Sequence, residues 1–159
     1  MSLGDLSGRR VVDLFSGCGA LGIEALSRGA GFVDFVDSDR NARVALERNL
    51  AALEAADRAK IWPLTLPRGL ARLGEALGAA DLVLADPPYG GRDARQVLEA
   101  LGSPGVLKPG ARVVVERHQK DELPGAVGTL VLERERRYGE TVVNLYGAGT
   151  ISPPEAGQP

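Results

Sequence analysis

RVVDLFSGCGALGIEALSRGAGFVDFVD, Arg10 to Asp37, is the stretch on which the fold turns. Arg10 to Phe15 reads as a short buried strand, and glycines at 17, 19 and 22 follow at once. IEALSRG then has the pattern of a helix stopped by Gly29. Gly31 to Asp37 is a second apolar strand. Strand, Gly17-Cys-Gly-Ala-Leu-Gly22 and helix make a G-x-G-x-x-G arrangement in its proper setting. The glycines let the backbone turn tightly and approach a ligand closely. An acid stands 20 positions beyond Gly17, at the end of the second strand: Asp37. Its carboxylate can accept from both hydroxyls of a ribose. A nucleoside-containing cofactor is the expectation, with a purely structural glycine turn as the lesser alternative.

Outward from this core the alternation continues. Asp39 is a candidate N-cap for a helix over Arg40 to Ala55, with Val44, Leu46, Leu50 and Leu53 on its apolar side. Ala59 to Leu64 is a weaker strand, Leu70 to Leu77 is helical in pattern, Asp81 to Asp86 is a fourth strand, and Arg92 to Leu101 a helix. After the turn Lys108-Pro-Gly110 comes a strand over Ala111 to Glu116. Thr129 to Arg137 and Glu140 to Tyr146 alternate around Tyr138-Gly139 as a hairpin. Strands interleaved with helices predict an α/β fold with a mostly parallel sheet covered on both faces, closed at one edge by antiparallel strands. The expected organisation is one domain over residues 1–150, with 151–159, ISPPEAGQP, as a loose tail.

Composition narrows the function classes. With 159 residues, 44% apolar and 25% charged, the chain is ordinary for a globular protein. No apolar run approaches the ~20 residues that span a bilayer, and MSLGDLSGRR has no secretory h-region, so a cytoplasmic protein without a membrane partner is expected. One cysteine, Cys18, and one histidine, His118, leave no ligand set for zinc, and no metal is expected. The net charge of −2 is not that of a protein that grips nucleic acid over its whole surface. Lysine occurs only at 60, 108 and 120, so the positive charge is almost all arginine. That suits phosphate contacts, although codon bias accounts for most of it.

The carboxyl ends of the first, second and fourth strands collect Asp13, Asp37 and Asp86. Three carboxylates repel a pyrophosphate and suit a cation, which favours the sulfonium and ammonium of S-adenosylmethionine over NAD. Asp13 is as much a candidate for bonding the glycine-turn backbone as for touching a ligand. The candidate cofactor-binding set is Asp13, Phe15, Gly17, Gly19, Asp37 and Ser38.

The fourth strand ends LVLADPPYGGRD, Leu82 to Asp93. Pro87 forces Asp86 toward an extended conformation, and neither proline has an N–H. The turn offers the Asp86 carboxylate and its own carbonyls with few competing donors. Such a site wants a ligand that donates, and the exocyclic amine of a nucleobase has two N–H bonds to give. Its lone pair is delocalised into the ring, so acceptors on both hydrogens help the nitrogen toward tetrahedral geometry and hold it in line with a methyl donor. Tyr89 offers a flat surface for a flipped or single-stranded base. The catalytic candidates are Asp86, Pro87 and Tyr89; the substrate-binding candidates are Pro88, Tyr89 and Arg92. Gly90-Gly91 has the composition of a hinge or a plain turn, and Arg92 and Arg95 suit phosphate or a solvated helix face. Cys18 reads as a small filler within the turn, and His118 as a surface residue just past a strand end, a candidate to lie near RNA. Arg134 and Arg136 share a strand face, but Glu133 and Glu135 beside them favour a mixed solvent face over a phosphate patch.

VVDLFSGCGALGIEALSRGA with FVDSDRNA, then LADPPY, then RYGETVVNLY, resembles the RsmD-type 16S ribosomal RNA guanine-N2 methyltransferases over Leu6 to Tyr146. The resemblance implies a class I, Rossmann-like fold with seven strands and a C-terminal hairpin. It implies S-adenosylmethionine as donor, and as acceptor a guanine amine of 16S rRNA within the small ribosomal subunit or its assembly intermediate. By motif position Asp37 would hold the ribose, the turn from Gly17 to Gly19 would approach the methionine part, and Asp86, Pro87 and Tyr89 would hold the base. Members of the family usually carry an Arg-Pro-Thr segment and an amphipathic helix ahead of the first strand, whereas here that strand begins within ten residues of Met1, so the chain is expected to lack that segment. IWPLTLPRGL ends the third strand without the usual acid, leaving backbone groups and Leu64 or Leu66 for the adenine. The rivals are a DNA amino-methyltransferase, for which 159 residues leave little room, a non-catalytic nucleotide-binding module, and in third place an NAD-dependent dehydrogenase.

Overall fold

The structure is a computed structural model that describes residues 3–149, so the expected tail over 151–159 lies outside the described residues. In chain order the elements are β1 (Arg10–Leu14), α1 (Ala20–Ser27), β2 (Phe32–Val36), α2 (Arg40–Ala52), β3 (Ala59–Trp62), α3 (Gly74–Ala79), β4 (Leu82–Ala85), α4 (Arg92–Leu101), β5 (Arg112–His118), β6 (Ala126–Val127), β7 (Leu130–Tyr138) and β8 (Thr141–Ala148). They form one sheet in the order β3-β2-β1-β4-β5-β8-β7-β6. The first five strands run parallel, while β8, β7 and β6 join the β5 edge antiparallel.

The α/β class and the closing hairpin are as the sequence implies. The sheet has eight described strands rather than seven, because the two-residue β6 pairs with Leu130 and Val131. Two residues carry no alternation to read. Leu70 to Leu77 is not one helix either: a 3-10 stretch over Arg68–Leu73 passes into α3. Gly74 and Gly78 are weak helix formers, which accounts for the short α-helical turn. α2 starts where expected, with Asp39 accepting from the Ala42 amide at 3.3 Å. It ends three residues early, where Glu54 takes a φ of 53°.

Alternation along each strand sorts side chains to two faces. Val12, Leu14, Val83, Ala85, Val113 and Val115 pack on one face with Leu98 and Leu101 of α4 and Leu77 of α3. Val11, Val33, Phe35, Leu84 and Val114 pack on the other with Ala25 and Leu26 of α1 and Leu46 and Leu50 of α2. The same alternation sends Asp13, Asp37, Asp86 and Glu116 to the α1/α2 face at the carboxyl ends of β1, β2, β4 and β5. β1 lies between β2 and β4, so the chain winds outward from it in both directions. Open α/β sheets bind ligands at the strand tips beside such a reversal. Among the described residues no helix is long and apolar enough to cross a membrane.

Candidate active site

The glycine turn is held from three sides. Ser16 donates its amide to Val36 O at 2.9 Å, Gly17 donates to Asp37 Oδ2 at 2.8 Å, and Asn49 of α2 donates through Nδ2 to Cys18 O at 3.1 Å. Gly17 and Gly19 have φ of 56° and 94°, in the region that favours glycine. Gly19 caps α1, and a Cβ there would collide with Leu46. A Cβ on Gly17 would meet no atom within 4 Å. Phe15 also has a positive φ, 56°, and its side chain packs against the α3/α4-side core, so it offers the crevice its backbone.

Asp37 is half-buried, and both its oxygens already accept a backbone N–H: Gly17 on Oδ2, and Asp39 on Oδ1 at 2.8 Å. A carboxylate has about four lone-pair sites, so one remains on each oxygen for a diol. Ser38 is exposed, and its carbonyl accepts from Arg43 Nη1 at 2.6 Å. Asp13 takes the backbone role of the two weighed: Oδ2 accepts from the Gly22 amide at 3.0 Å, and the residue is 1% exposed. Burial pushes its carboxyl up to about 7; the Gly22 bond opposes this, and the charges of Asp86 and Asp37 add to it.

At the tip of β4 Pro87 is buried, while Asp86, Pro88 and Tyr89 are exposed, Tyr89 to 83%. Among the described residues nothing donates to the Asp86 carboxylate, the condition expected of a corner built from prolines. Desolvation at the crevice wall holds that carboxyl above its ordinary value. The Tyr89 ring meets His118 edge-on, centroids 5.9 Å apart and planes at 88°. Gly90 and Gly91 have φ of 113° and 74°, but the loop is no free hinge, because the Gly90 amide donates to Asp121 Oδ2 at 2.9 Å. Arg92 is exposed at the start of α4. Leu64 and Leu66, the apolar candidates for the adenine, pack against the α3/α4-side core.

Four residues of this corner escaped the sequence reading in whole or in part: Glu116, Arg117, His118 and Asp121. β5 runs to His118, two residues beyond the expected Glu116, so His118 belongs to the sheet and Glu116 shares its face. Arg117, on the opposite face, donates through Nη1 to the carbonyls of His118, Gln119 and Asp121 at 3.3, 3.4 and 3.3 Å. Its Nε reaches Asn144 Oδ1 at 3.3 Å and its Nη2 Glu135 Oε1 at 2.6 Å. This one guanidinium folds the turn that carries Asp121 and His118 to the proline corner. A period-two reading of Glu116 and His118 was the available signal. Nothing local marked Arg117 or Asp121. On β7, Arg134 and Arg136 do share a face, opposite Leu145 and Val143.

The donor set fits a cation-bearing nucleoside. Carboxylates at the carboxyl ends of four adjacent strands lie on one face of the sheet, and burial, with neighbouring charge adding to it, pushes up the carboxyls of Asp13 and Glu116. Among the described residues no three or more His, Cys, Asp or Glu group to hold a metal ion. Ser16 Oγ, beside the glycine turn, is buried with no partner among the described residues, an unsatisfied polar atom of the kind a bound ligand completes.

The family model described as conserved hypothetical protein 95 matches residues 2–147. The "Putative rRNA methyltransferase YlbH" of Bacillus subtilis is 35% identical over 87% of this chain and 76% of its own length. The "Ribosomal RNA small subunit methyltransferase D" of Escherichia coli is 32% identical over 85% of this chain and 66% of its own. Among solved structures, the "Putative methyltransferase yhhF" of Escherichia coli superimposes with a TM-score of 0.81 at 30% identity, over 91% of this chain and 80% of that one.

Proposed function

The chain belongs to the conserved hypothetical protein 95 family, the RsmD-type methyltransferases, and from that premise we propose that it methylates the exocyclic N2 amine of a guanine in 16S ribosomal RNA, using S-adenosylmethionine, on the small subunit or its assembly intermediate. It is a methyltransferase, and ribosomal RNA is the substrate class that its relatives' names carry. The observation that carries the finer reading is the Asp86 carboxylate, which receives no donor among the described residues, on a proline corner beside an exposed tyrosine.

S-adenosylmethionine supplies a methyl group made electrophilic by the sulfonium. The Gly17-to-Gly19 turn would approach the methionine part, and Asp37 would hold the nucleoside end, its two free lone-pair sites taking the ribose hydroxyls. A bound cation would draw the Asp13 carboxyl toward its charged form beneath the turn, and Phe15 and Ser38 would contribute backbone at its borders. Tyr89 and Pro88 would present surface for the base, and the exposed Arg92 would take a flanking phosphate. Asp86 and the carbonyl oxygens of the corner accept the two amine hydrogens. That steers the nitrogen lone pair out of conjugation and toward the methyl carbon, a positioning effect of the kind worth several kcal/mol. Desolvation makes the Asp86 carboxylate a better acceptor for the proton the amine sheds, and its exposure lets that proton pass to water.

The test is transfer of a tritiated methyl group to small subunits lacking the modification, with the product nucleoside identified by mass. N2-methylguanosine is the expected product. Methylation of duplex DNA but not of subunits, or cofactor binding without turnover on any RNA, overturns the reading.

A further inference from the structure

Ala85, the last residue of β4, pairs with Val115 of β5, and the residue after each is a carboxylate, Asp86 and Glu116. Adjacent parallel strands lie about 4.8 Å apart, so the two side chains stand side by side on the α1/α2 face. Glu116 is half-buried, and among the described residues its side chain makes no hydrogen bond or ion pair. Two residues on and on the same face, His118 meets Tyr89. Glu116 is thus bracketed by the acceptor for the target amine and by the aromatic pair that marks where a base ring would lie. A half-buried carboxylate left without a donor is costly unless a ligand supplies one. The field of Asp86 adds to the burial that holds its carboxyl above the ordinary value.

The Watson–Crick edge of guanine places an N1–H donor directly beside the N2 amine. With N2 at Asp86, just past the end of β4, the half-buried Glu116 of β5, without a donor among the described residues, is where that neighbouring donor would be met. We propose that Glu116 accepts the N1–H of the target guanine and is the residue by which the site selects guanine over bases whose N1 is an acceptor. This rests on the guanine reading above. A base with a lone pair at N1 would face the carboxylate acceptor to acceptor and leave it unpaired, and sites that read a donor in this way reject the analogue that lacks it.

2-Aminopurine isolates the interaction, because it keeps the C2 amine and lacks the N1–H. Once the methyl assay has located the target nucleotide, small-subunit particles are reconstituted with guanine or 2-aminopurine there, and kcat/KM is measured for both. The wild-type chain is expected to prefer guanine by ~10- to 100-fold, the worth of a hydrogen bond to a charged acceptor. In Glu116→Gln, whose amide can donate to N1, and in Glu116→Ala, that preference is expected to fall at least about tenfold, with the calorimetric Kd for S-adenosylhomocysteine unchanged. An unchanged preference in both variants, or none in the wild type, overturns the proposal while guanine methylation itself stands. Wild-type failure to methylate guanine at all overturns the function reading and the proposal with it.

Discussion

Asp121 Oδ2 accepts the Gly90 amide at 2.9 Å, tying the turn after β5 to the loop after β4 across 31 residues of sequence. With the Tyr89–His118 contact, this is what links the proline corner to the rest of the sheet edge. The bond is exposed, so Asp121→Ala is expected to cost no more than about 1 kcal/mol of stability. Its effect belongs on turnover: a corner free to drift by an ångström loses alignment between amine and methyl, and ~10- to 100-fold in kcat is the scale of such a loss. Single-turnover rates beside calorimetry with S-adenosylhomocysteine separate the two effects. A fall in cofactor affinity with an unchanged methyl-transfer rate would place Asp121 on the wrong side of the crevice.

In the proposed reading Asp86 serves the substrate and Asp37 the cofactor. Among the described residues the Asp86 side chain makes no hydrogen bond, so Asp86→Ala removes no such bond from the fold, and it is expected to abolish methyl transfer while cofactor affinity changes little. Asp37 holds the Gly17 and Asp39 amides as well as facing the crevice. Asp37→Ala is therefore expected to weaken cofactor binding at least ~10-fold, by loss of ribose contacts and loosening of the turn together. Wild-type turnover in the first variant, or an unchanged dissociation constant in the second, contradicts the assignment.

Gly17 and Gly22 lie five positions apart and are expected to respond differently to one added methyl. At Gly22 a Cβ would collide with the Phe35 ring and sit 2.9 Å from Asp13 Oδ2, in the buried seam between α1 and β2. Overpacking of this kind costs about 1–3 kcal/mol, and Gly22→Ala is expected to lower the unfolding midpoint in urea. At Gly17 the space is open and the cost is the positive φ alone, about 1 kcal/mol, while the methyl would stand where the backbone is meant to approach the cofactor. Gly17→Ala is expected to keep most of its stability and lose cofactor affinity. The reverse pattern in chemical denaturation and calorimetry would mean that the turn is a structural device only.

Much of this arrangement was legible in the sequence because its signals are local. The glycine turn, Asp37 and the Asp-Pro-Pro-Tyr corner each sit within a few residues of a strand end, and β1, β2 and β4 bring them together by the ordinary winding of a parallel sheet. The remainder is set by register. Glu116 reaches Asp86 through the pairing of β5 with β4, and Asp121 is folded back by an arginine whose other partners, Glu135 and Asn144, come from β7 and β8. A register shift between Leu132 and Arg134 decides which face of β7 each arginine takes. No spacing within the chain encodes such contacts; they appear only when distant strands are laid side by side.

Asp13 gives the fold a pH dependence of definite sign. Folded, its carboxyl titrates near 7; unfolded, near the ordinary 3.8. Between those values the folded chain holds a proton that the unfolded chain has lost, so this residue's contribution is fully present below about pH 4 and is lost as pH rises to about 7. Above that the folded state carries a desolvated charge in the field of Asp86 and Asp37. Asp13→Asn keeps an acceptor for the Gly22 amide and removes the titration. Relative to wild type, the variant is expected to gain stability steadily from pH 4 to 7 and to level off above, by about 4 kcal/mol at most. Urea unfolding of both proteins at pH 5, 6, 7 and 8 measures the difference directly. Parallel curves across that range would mean that Asp13 stays ionised in the folded protein, and that the crevice holds its negative charge without the strain a sulfonium would relieve.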